Sequence, residues 1–86
     1  MKKIDDAVRN RITELLAEQK RTISDVSLAG GLTPSTLYDF MRRDTAHIQL
    51  NTLKQVCMGF EIKMTEFLSS VIFYFKVFVI KYYALL

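Results

Sequence analysis

The chain has one histidine, His47, and one cysteine, Cys57, and neither belongs to a pattern that supports catalysis or metal binding. His47 lacks a nucleophilic Ser or Cys partner in a strained turn, and the sequence has no paired-carboxylate motif and no glycine-rich phosphate loop. A single cysteine excludes an intramolecular disulfide, and with a single histidine it excludes a structural zinc site. We therefore expect a protein without catalytic residues, metal or cofactor, which is not an enzyme.

Length and composition indicate one small domain inside the cell. The 86 residues are half hydrophobic and 24% charged, which suits a single hydrophobic core. Twelve basic against nine acidic residues give a net charge of +3, which permits a nucleic-acid partner without identifying it. The N-terminus turns acidic at Asp5 and Asp6 and lacks the apolar stretch of a secretory signal. We therefore expect a cytoplasmic protein.

Hydrophobic periodicity predicts three of five short helices. Helix 1 runs from about Asp5 to Gln19, helix 4 follows a polar loop over Arg43 to Gln49, and helix 5 runs from about Met64 to Ser69. The apolar residues that define these helices are Ile4, Val8, Ile12, Leu15 and Leu16 in the first, Leu50, Leu53, Val56, Cys57 and Phe60 in the fourth, and Phe67 and Leu68 in the last.

Capping residues predict the two helices in between. Thr22 can cap a helix over Ile23 to Ala29, because its hydroxyl can accept from free N–H groups of the first turn. Gly30-Gly31 ends this helix. Thr33-Pro34 begins helix 3, since proline at the first helical position loses no hydrogen bond, and the helix runs to about Arg42.

Residues 23 to 42 have the layout of a helix-turn-helix, two short helices joined by a turn that contains glycine. Gly31 lies where the turn requires a positive φ, and Ser27 is small where the two helices approach closely. The packing positions of such a unit are filled by Val26, Leu32, Leu37 and Phe40.

The chain from about residue 4 to residue 69 resembles the five-helix DNA-binding domain of the phage Cro/C1 repressor and Xre family of bacterial regulators. Four segments carry the resemblance, in order and at the right spacing: Thr22-Ile23-Ser24-Asp25-Val26-Ser27, Gly31-Leu32-Thr33-Pro34-Ser35-Thr36-Leu37, Leu50-Asn51-Thr52-Leu53-Lys54-Gln55-Val56-Cys57 and Phe60-Glu61-Ile62-Lys63-Met64-Thr65-Glu66-Phe67-Leu68. The resemblance implies an all-α, lambda-repressor-like five-helix bundle with a central helix-turn-helix. It also implies a transcriptional regulator of bacterial or phage origin that binds double-stranded DNA, more often a repressor than an activator. No small-molecule effector is evident.

In this family helix 3 lies in the major groove with its N-terminal half toward the bases. The resemblance therefore assigns base reading to Thr33, Pro34, Ser35, Tyr38 and Asp39. It assigns phosphate contacts to Thr22, Ser24, Thr36, Arg42, Arg43, Gln49 and Asn51, with Arg9 or Arg11 as weaker candidates. The helix N-termini near Thr22 and Gln49 suit anions, because free backbone N–H groups point outward there.

Several positions depart from the family pattern. Ile23 replaces a common Gln, Arg43 replaces a common Gly, and Asp44 lies in a loop that is often basic. We therefore expect modest DNA affinity. Asp39 could pair with a neighbouring arginine instead of a cytosine amine, and Tyr38 could be a half-buried core residue. The alternative function is a protein-interaction module, an antitoxin-like or adaptor protein that keeps the fold without reading DNA.

Residues 71–86 differ in composition from residues 1–70, which form the predicted DNA-binding domain. Eleven of these sixteen residues are Val, Ile, Phe or Tyr, which favour strand, and Lys76 and Lys81 are the only charges. Sixteen helical residues would span about 24 Å, short of the roughly 30 Å of a hydrocarbon core, so integral membrane insertion is not expected. A peripheral membrane contact stays open.

The five helices offer no sheet edge, so a strand in this segment would pair with a second copy of the chain. We predict a homodimer, with a sixth helix as the alternative structure of the segment. The predicted interface residues are Val71, Phe73, Phe75, Val77, Phe78 and Ile80.

Overall fold

The computed structural model describes residues 4–73, which form five helices and no strand. The first four are α1 (Ile4–Gln19), α2 (Ile23–Ala29), α3 (Pro34–Arg42) and α4 (Leu50–Phe60). The fifth, α5, covers residues 64–73, up to the last described residue. The predicted bounds of α2 and α3 are confirmed, and α1 begins one residue before its predicted start. None of the helices in this part of the chain has the length and apolar character that a membrane span requires.

The two helices of the motif have local signals at their ends. Thr22 and Asp25 form a capping box: the Asp25 N–H donates to the Thr22 hydroxyl at 3.1 Å, and the Thr22 N–H donates to the Asp25 carboxylate at 3.3 Å. Gly31 has φ +79°, which confirms the predicted glycine turn. At the other side of the turn, Pro34 begins α3, whose N-cap Thr33 makes no side-chain capping bond.

The hydrophobic core joins all five helices. Buried side chains repeat at helical spacing, which holds the α2–α3 pair against α1, α4 and α5. The core residues are Ala7, Val8, Ile12, Leu15, Val26, Leu37, Phe40, Leu53, Val56, Cys57, Phe60, Phe67 and Val71. The predicted packing residues Val26, Leu37 and Phe40 are therefore confirmed as core, while Leu32 is half-buried against it.

Helices α2 and α4 touch backbone to backbone because glycine lies on each side of their contact. A Cβ atom added to Gly30 would lie 2.1 Å from the Gln55 carbonyl oxygen. One added to Gly59 would lie 2.2 Å from the Val26 carbonyl oxygen. Both distances are far below van der Waals contact, so no side chain fits at either position. This contact fixes α2 on the scaffold that carries the motif.

The structure corrects the predicted C-terminal strand for residues 71–73, which continue α5. Val71 is 1% exposed and follows the buried Phe67 by four residues, so both side chains lie on the same core-facing stripe. Burial on that stripe outweighs the β propensity of the segment. The core thus includes one residue, Val71, beyond the predicted DNA-binding domain of residues 1–70. The division into residues 1–70 and 71–86 stays a prediction.

The predicted dimer interface is wrong at Val71, because this side chain packs inside its own chain. Phe73 is different, since 70% of it is exposed. The other predicted interface residues, Phe75, Val77, Phe78 and Ile80, lie outside the described residues.

Candidate nucleic-acid interface

Helix α3 presents a polar face on the side opposite the core. Leu37 and Phe40 turn inward, while Tyr38 is 42% exposed and lies at the surface. The exposed residues of this helix and its N-cap are Thr33, Ser35, Thr36, Tyr38, Asp39 and Arg42, and Pro34 is half-buried. The predicted base-reading residues therefore lie on one accessible helix, close to its N-terminus.

Three hydroxyl groups cluster at the start of this face. The Thr33 and Thr36 hydroxyl oxygens lie 2.8 Å apart, and the Ser35 hydroxyl donates to that of Thr33 at 3.5 Å. Each hydroxyl can both donate and accept, and the threonine methyl groups offer apolar contacts. Such a surface can contact base edges or phosphates, but it lacks the bidentate geometry of Arg, Asn or Gln.

The charges at the end of α3 are exposed. A guanidinium nitrogen of Arg42 lies 3.2 Å from an Asp39 carboxylate oxygen, and both side chains are more than half exposed. Asp39 thus pairs with an arginine, one of its two predicted uses. Exposed ion pairs contribute at most about 1 kcal/mol, so Arg42 can exchange this carboxylate for a phosphate at little cost. The Arg43 side chain is exposed and has no side-chain partner among residues 4–73.

The N-terminus of α4 lies beside the start of α3. Thr36 and Gln49 line the same shallow groove of about 260 Å³, together with Phe40, His47, Ile48 and Thr52. Gln49 is the N-cap of α4 and makes no side-chain capping bond, and both Gln49 and Asn51 are exposed. The structure therefore brings two predicted phosphate-contacting residues, Thr36 of α3 and Gln49 at the start of α4, to one groove.

The N-terminus of α2 suits a phosphate less well. The Thr22 hydroxyl already accepts the Asp25 N–H, and the Asp25 carboxylate lies at the same helix end. A carboxylate there takes the favourable position that an anionic ligand would use. Ser24 is half-buried. The phosphate contacts of Thr22 and Ser24 stay predictions.

The arginines of α1 are engaged within the protein. Arg9 is 8% exposed and donates to three backbone carbonyls. The Arg11 side chain is 16% exposed and pairs with Glu14 at 3.3 Å. Arg21, next to the motif, donates to the Gly59 carbonyl at 2.6 Å and so binds the end of α4. Burial and these bonds leave Arg9 no free donor for a phosphate, while the suggested phosphate contact of Arg11 stays a prediction.

The loop after α3 is tied to the first turn of α1, a contact the sequence did not indicate. His47 Nδ1 lies 2.6 Å from an Asp5 carboxylate oxygen, and the Ile48 N–H donates to the other oxygen at 3.4 Å. Burial opposes ionisation of Asp5, but these two hydrogen bonds and the charges of His47 and Arg9 lower the pKa of its carboxyl below the ordinary value. His47 is thus exposed but paired with Asp5.

Replacing Asp5 by asparagine is expected to lower the free energy of unfolding near neutral pH by at most about 1 kcal/mol, because its partner His47 is exposed. The lowered pKa means that the ionised Asp5 stabilises the fold above the unfolded-state pKa of about 3.9, and that this contribution is lost as pH falls through the folded-state pKa. Urea unfolding at a series of pH values checks this. A difference between wild type and Asp5→Asn that stays constant down to pH of about 2 would contradict it.

Cys57 is a core residue, as predicted. It is 3% exposed, its sulfur lies 3.8 Å from that of Met64, and burial raises the pKa of the thiol. A raised pKa keeps the thiol protonated and unreactive. Cys57 thus belongs to the packing of α4 against α5 and has no part in the candidate site.

An all-helical domain in which a turn with glycine joins two short helices, and the second helix exposes a polar face, has the architecture of a helix-turn-helix domain. Within that class the chain belongs to the family described as the Cro/C1-type helix-turn-helix DNA-binding domain, whose model matches residues 11–71. The match confirms the resemblance seen in the sequence, and it ends at Val71, the last buried residue of the described core. Comparison with curated proteins and with solved structures finds no match.

Proposed function

We propose that this protein is a sequence-specific regulator of transcription, without enzymatic activity, that inserts α3 into the major groove of duplex DNA in the bacterial cytoplasm. Repression is the mode we propose, on the family resemblance. The observation that carries the proposal is the exposed polar face of α3, held by a core within the segment that matches the Cro/C1-type family.

The surface supports a division between reading and positioning. Ser35 and Tyr38 are exposed near the start of α3, where base edges are read in this type of domain. Arg42 and Arg43 at its end, and Gln49 and Asn51 at the start of α4, are exposed, and we assign phosphate contacts to them. The proposed reading residues lack the Arg, Asn or Gln side chains that form two hydrogen bonds with one base. Specificity therefore relies on single contacts and on DNA shape.

We further propose that two copies act together on a palindromic site. On α5, Ile72 is 45% exposed and Phe73 is 70% exposed, and residues 74–86, which follow in the sequence, are apolar except for Lys76 and Lys81. A patch of this kind is covered in most soluble proteins. A twofold dimer through this surface would cover it in both copies.

Selection from a pool of random duplexes tests the function. We expect the purified protein to enrich a defined sequence motif, with half-sites one helical turn or a multiple of it apart. Failure to enrich any motif, at low as well as at physiological salt, would contradict sequence-specific binding and leave the protein-interaction module as the function.

Substitutions on α3 are expected to separate reading from positioning. Ser35→Ala with Tyr38→Ala should reduce discrimination between a selected site and random DNA by about tenfold, near the value of one lost base contact. Arg42→Ala should weaken binding to both duplexes about equally. The slope of the logarithm of affinity against the logarithm of salt concentration should become shallower by about 0.9, because one phosphate contact is lost. Fluorescence anisotropy titrations with both duplexes measure both effects.

Two exposed residues outside the motif supply the controls. Met58→Ala removes a 59% exposed hydrophobic side chain from α4, and Lys63→Ala removes one positive charge after α4. Neither should change discrimination. Loss of discrimination with Arg42→Ala, and its retention in the Ser35 and Tyr38 double variant, would reverse the assignment and count against it.

A further inference from the structure

Arg9 is the one charged residue among residues 4–73 that is buried, and its guanidinium binds the segment that leaves α3. Its Nε donates to the Phe40 carbonyl at 2.8 Å, and one terminal nitrogen donates to the Arg43 carbonyl at 2.7 Å and to the Ala46 carbonyl at 2.5 Å. The other terminal nitrogen lies 3.0 Å from Asp6. One side chain of α1 thus holds three backbone groups that lie 31 to 37 residues further along the chain.

The geometry of these bonds depends on arginine. A guanidinium is planar and directs five N–H donors in a fixed fork, whereas a lysine amine is a compact point charge. The Arg9 group also lies over the Phe40 ring, 4.3 Å from its centroid, so a cation–π contact adds to these hydrogen bonds. The carbonyls that Arg9 binds lie in the last turn of α3 and in the loop after it. Backbone carbonyls there have no N–H partner within the helix.

Arg9 and Asp5 together fix the loop of residues 43–49. The loop has no regular secondary structure, and within it the Ala46 N–H donates to the same Arg43 carbonyl that Arg9 binds. Arg9 holds the first half of the loop, and Asp5 holds the second half through His47 and Ile48. This loop carries the exposed Arg43 and ends at Gln49, the N-cap of α4.

We propose that Arg9 is a positioning residue for DNA binding: without touching DNA, it sets the course of the chain from α3 to α4, so that Arg43 and the N-terminus of α4 face phosphates together with α3. The inference rests on the proposed function. It assigns to a buried side chain of α1 a share of the affinity that is otherwise attributed to surface residues.

Arg9→Lys tests the proposal, with Arg11→Lys as a matched control on the same helix. Lysine keeps the buried charge but cannot hold all three carbonyls, so the fold is retained and the loop is released. We expect Arg9→Lys to bind a selected duplex about tenfold more weakly, with a salt slope shallower by about 0.9 because one phosphate contact is lost. Within residues 4–73, Arg11 pairs with Glu14 and makes no hydrogen bond to the loop, and lysine keeps its charge, so Arg11→Lys should bind like wild type.

Hydrogen exchange shows whether the effect comes from the loop. In Arg9→Lys the amides of Ala46 and Ile48, which donate to Arg43 and Asp5, should exchange faster, while amides of α2 and α4 keep their protection. If Arg9→Lys does not fold, Asp5→Asn releases the second half of the loop and should show a smaller loss in the same direction.

The outcomes separate this inference from the proposed function. Wild type that binds no duplex overturns the proposed function and the inference with it. Wild type that binds, with Arg9→Lys equal to it in affinity and salt slope, overturns the inference alone. Faster exchange throughout the protein, with an unchanged salt slope, would show that Arg9 serves only stability.

Discussion

Replacing Gly59 by alanine is expected to destabilise the domain by about 3 kcal/mol, the upper range for overpacking a tight contact. The new Cβ would lie 2.2 Å from the Val26 carbonyl oxygen and 3.0 Å from a Val26 methyl carbon. Gly59 is inside α4, where alanine is normally favoured by about 1 kcal/mol. The steric effect must therefore outweigh a gain in helix propensity, which gives the prediction a definite sign.

Gly31→Ala is the matched control, because it tests backbone conformation without a steric clash. Gly31 has φ +79°, and the nearest atom to an added Cβ is a side-chain nitrogen of Gln55 at 3.7 Å. We expect a loss of about 1 kcal/mol from the unfavourable φ alone. Urea unfolding followed by circular dichroism measures both variants. A Gly59→Ala protein as stable as wild type would show that α2 and α4 do not need backbone contact.

Ending the chain after Ser70 is expected to cost about 2 kcal/mol relative to ending it after Phe73, because Val71 is lost from the core. A loss of this size is a large share of the stability of a small domain. The chain that ends at Phe73 keeps every described core residue and should remain folded. Thermal and urea unfolding of the two shortened proteins give the difference directly, and equal stabilities would contradict the place of Val71 in the core.

The full chain and the protein that ends at Phe73 together test the proposed dimer. Sedimentation should give a dimer for the full chain and a monomer for residues 1–73, since residues 74–86 would supply most of the interface. Equal masses for the two proteins would place the interface elsewhere or leave the protein a monomer. The stability and mass measurements are independent, so one prediction can fail without the other.

The helix-turn-helix was predictable because its signals are local. Thr22, Gly31 and Pro34 each act within one or two turns of the chain: α2 begins after Thr22 and ends before Gly31, and α3 begins at Pro34. The exposed face of α3 follows in turn, since Leu37 and Phe40 must face the core.

The features that were missed depend on contacts between distant parts of the chain. Residues 71–73 prefer strand locally, but the core position four residues after Phe67 imposes a helix. Arg9 has a charged side chain, which predicts a solvent-facing position, and nothing near it in sequence points to carbonyls more than 30 residues away. Its position three residues before the buried Ile12 was the one available signal, because it borders the core-facing stripe of α1.

The central claim is that this domain binds duplex DNA through the surface formed by α3 and the start of α4. Anisotropy titration of the wild-type protein on a selected duplex and on a scrambled one, over a range of salt concentrations, tests it most directly. Binding should weaken as salt rises. The logarithm of affinity should fall against the logarithm of salt concentration with a slope of about −2 per half-site, because Arg42 and Arg43 neutralise two phosphates. The selected duplex should bind more tightly than the scrambled one at every salt concentration. Absence of binding to both duplexes at the lowest salt, or equal affinity for the two, would contradict the account.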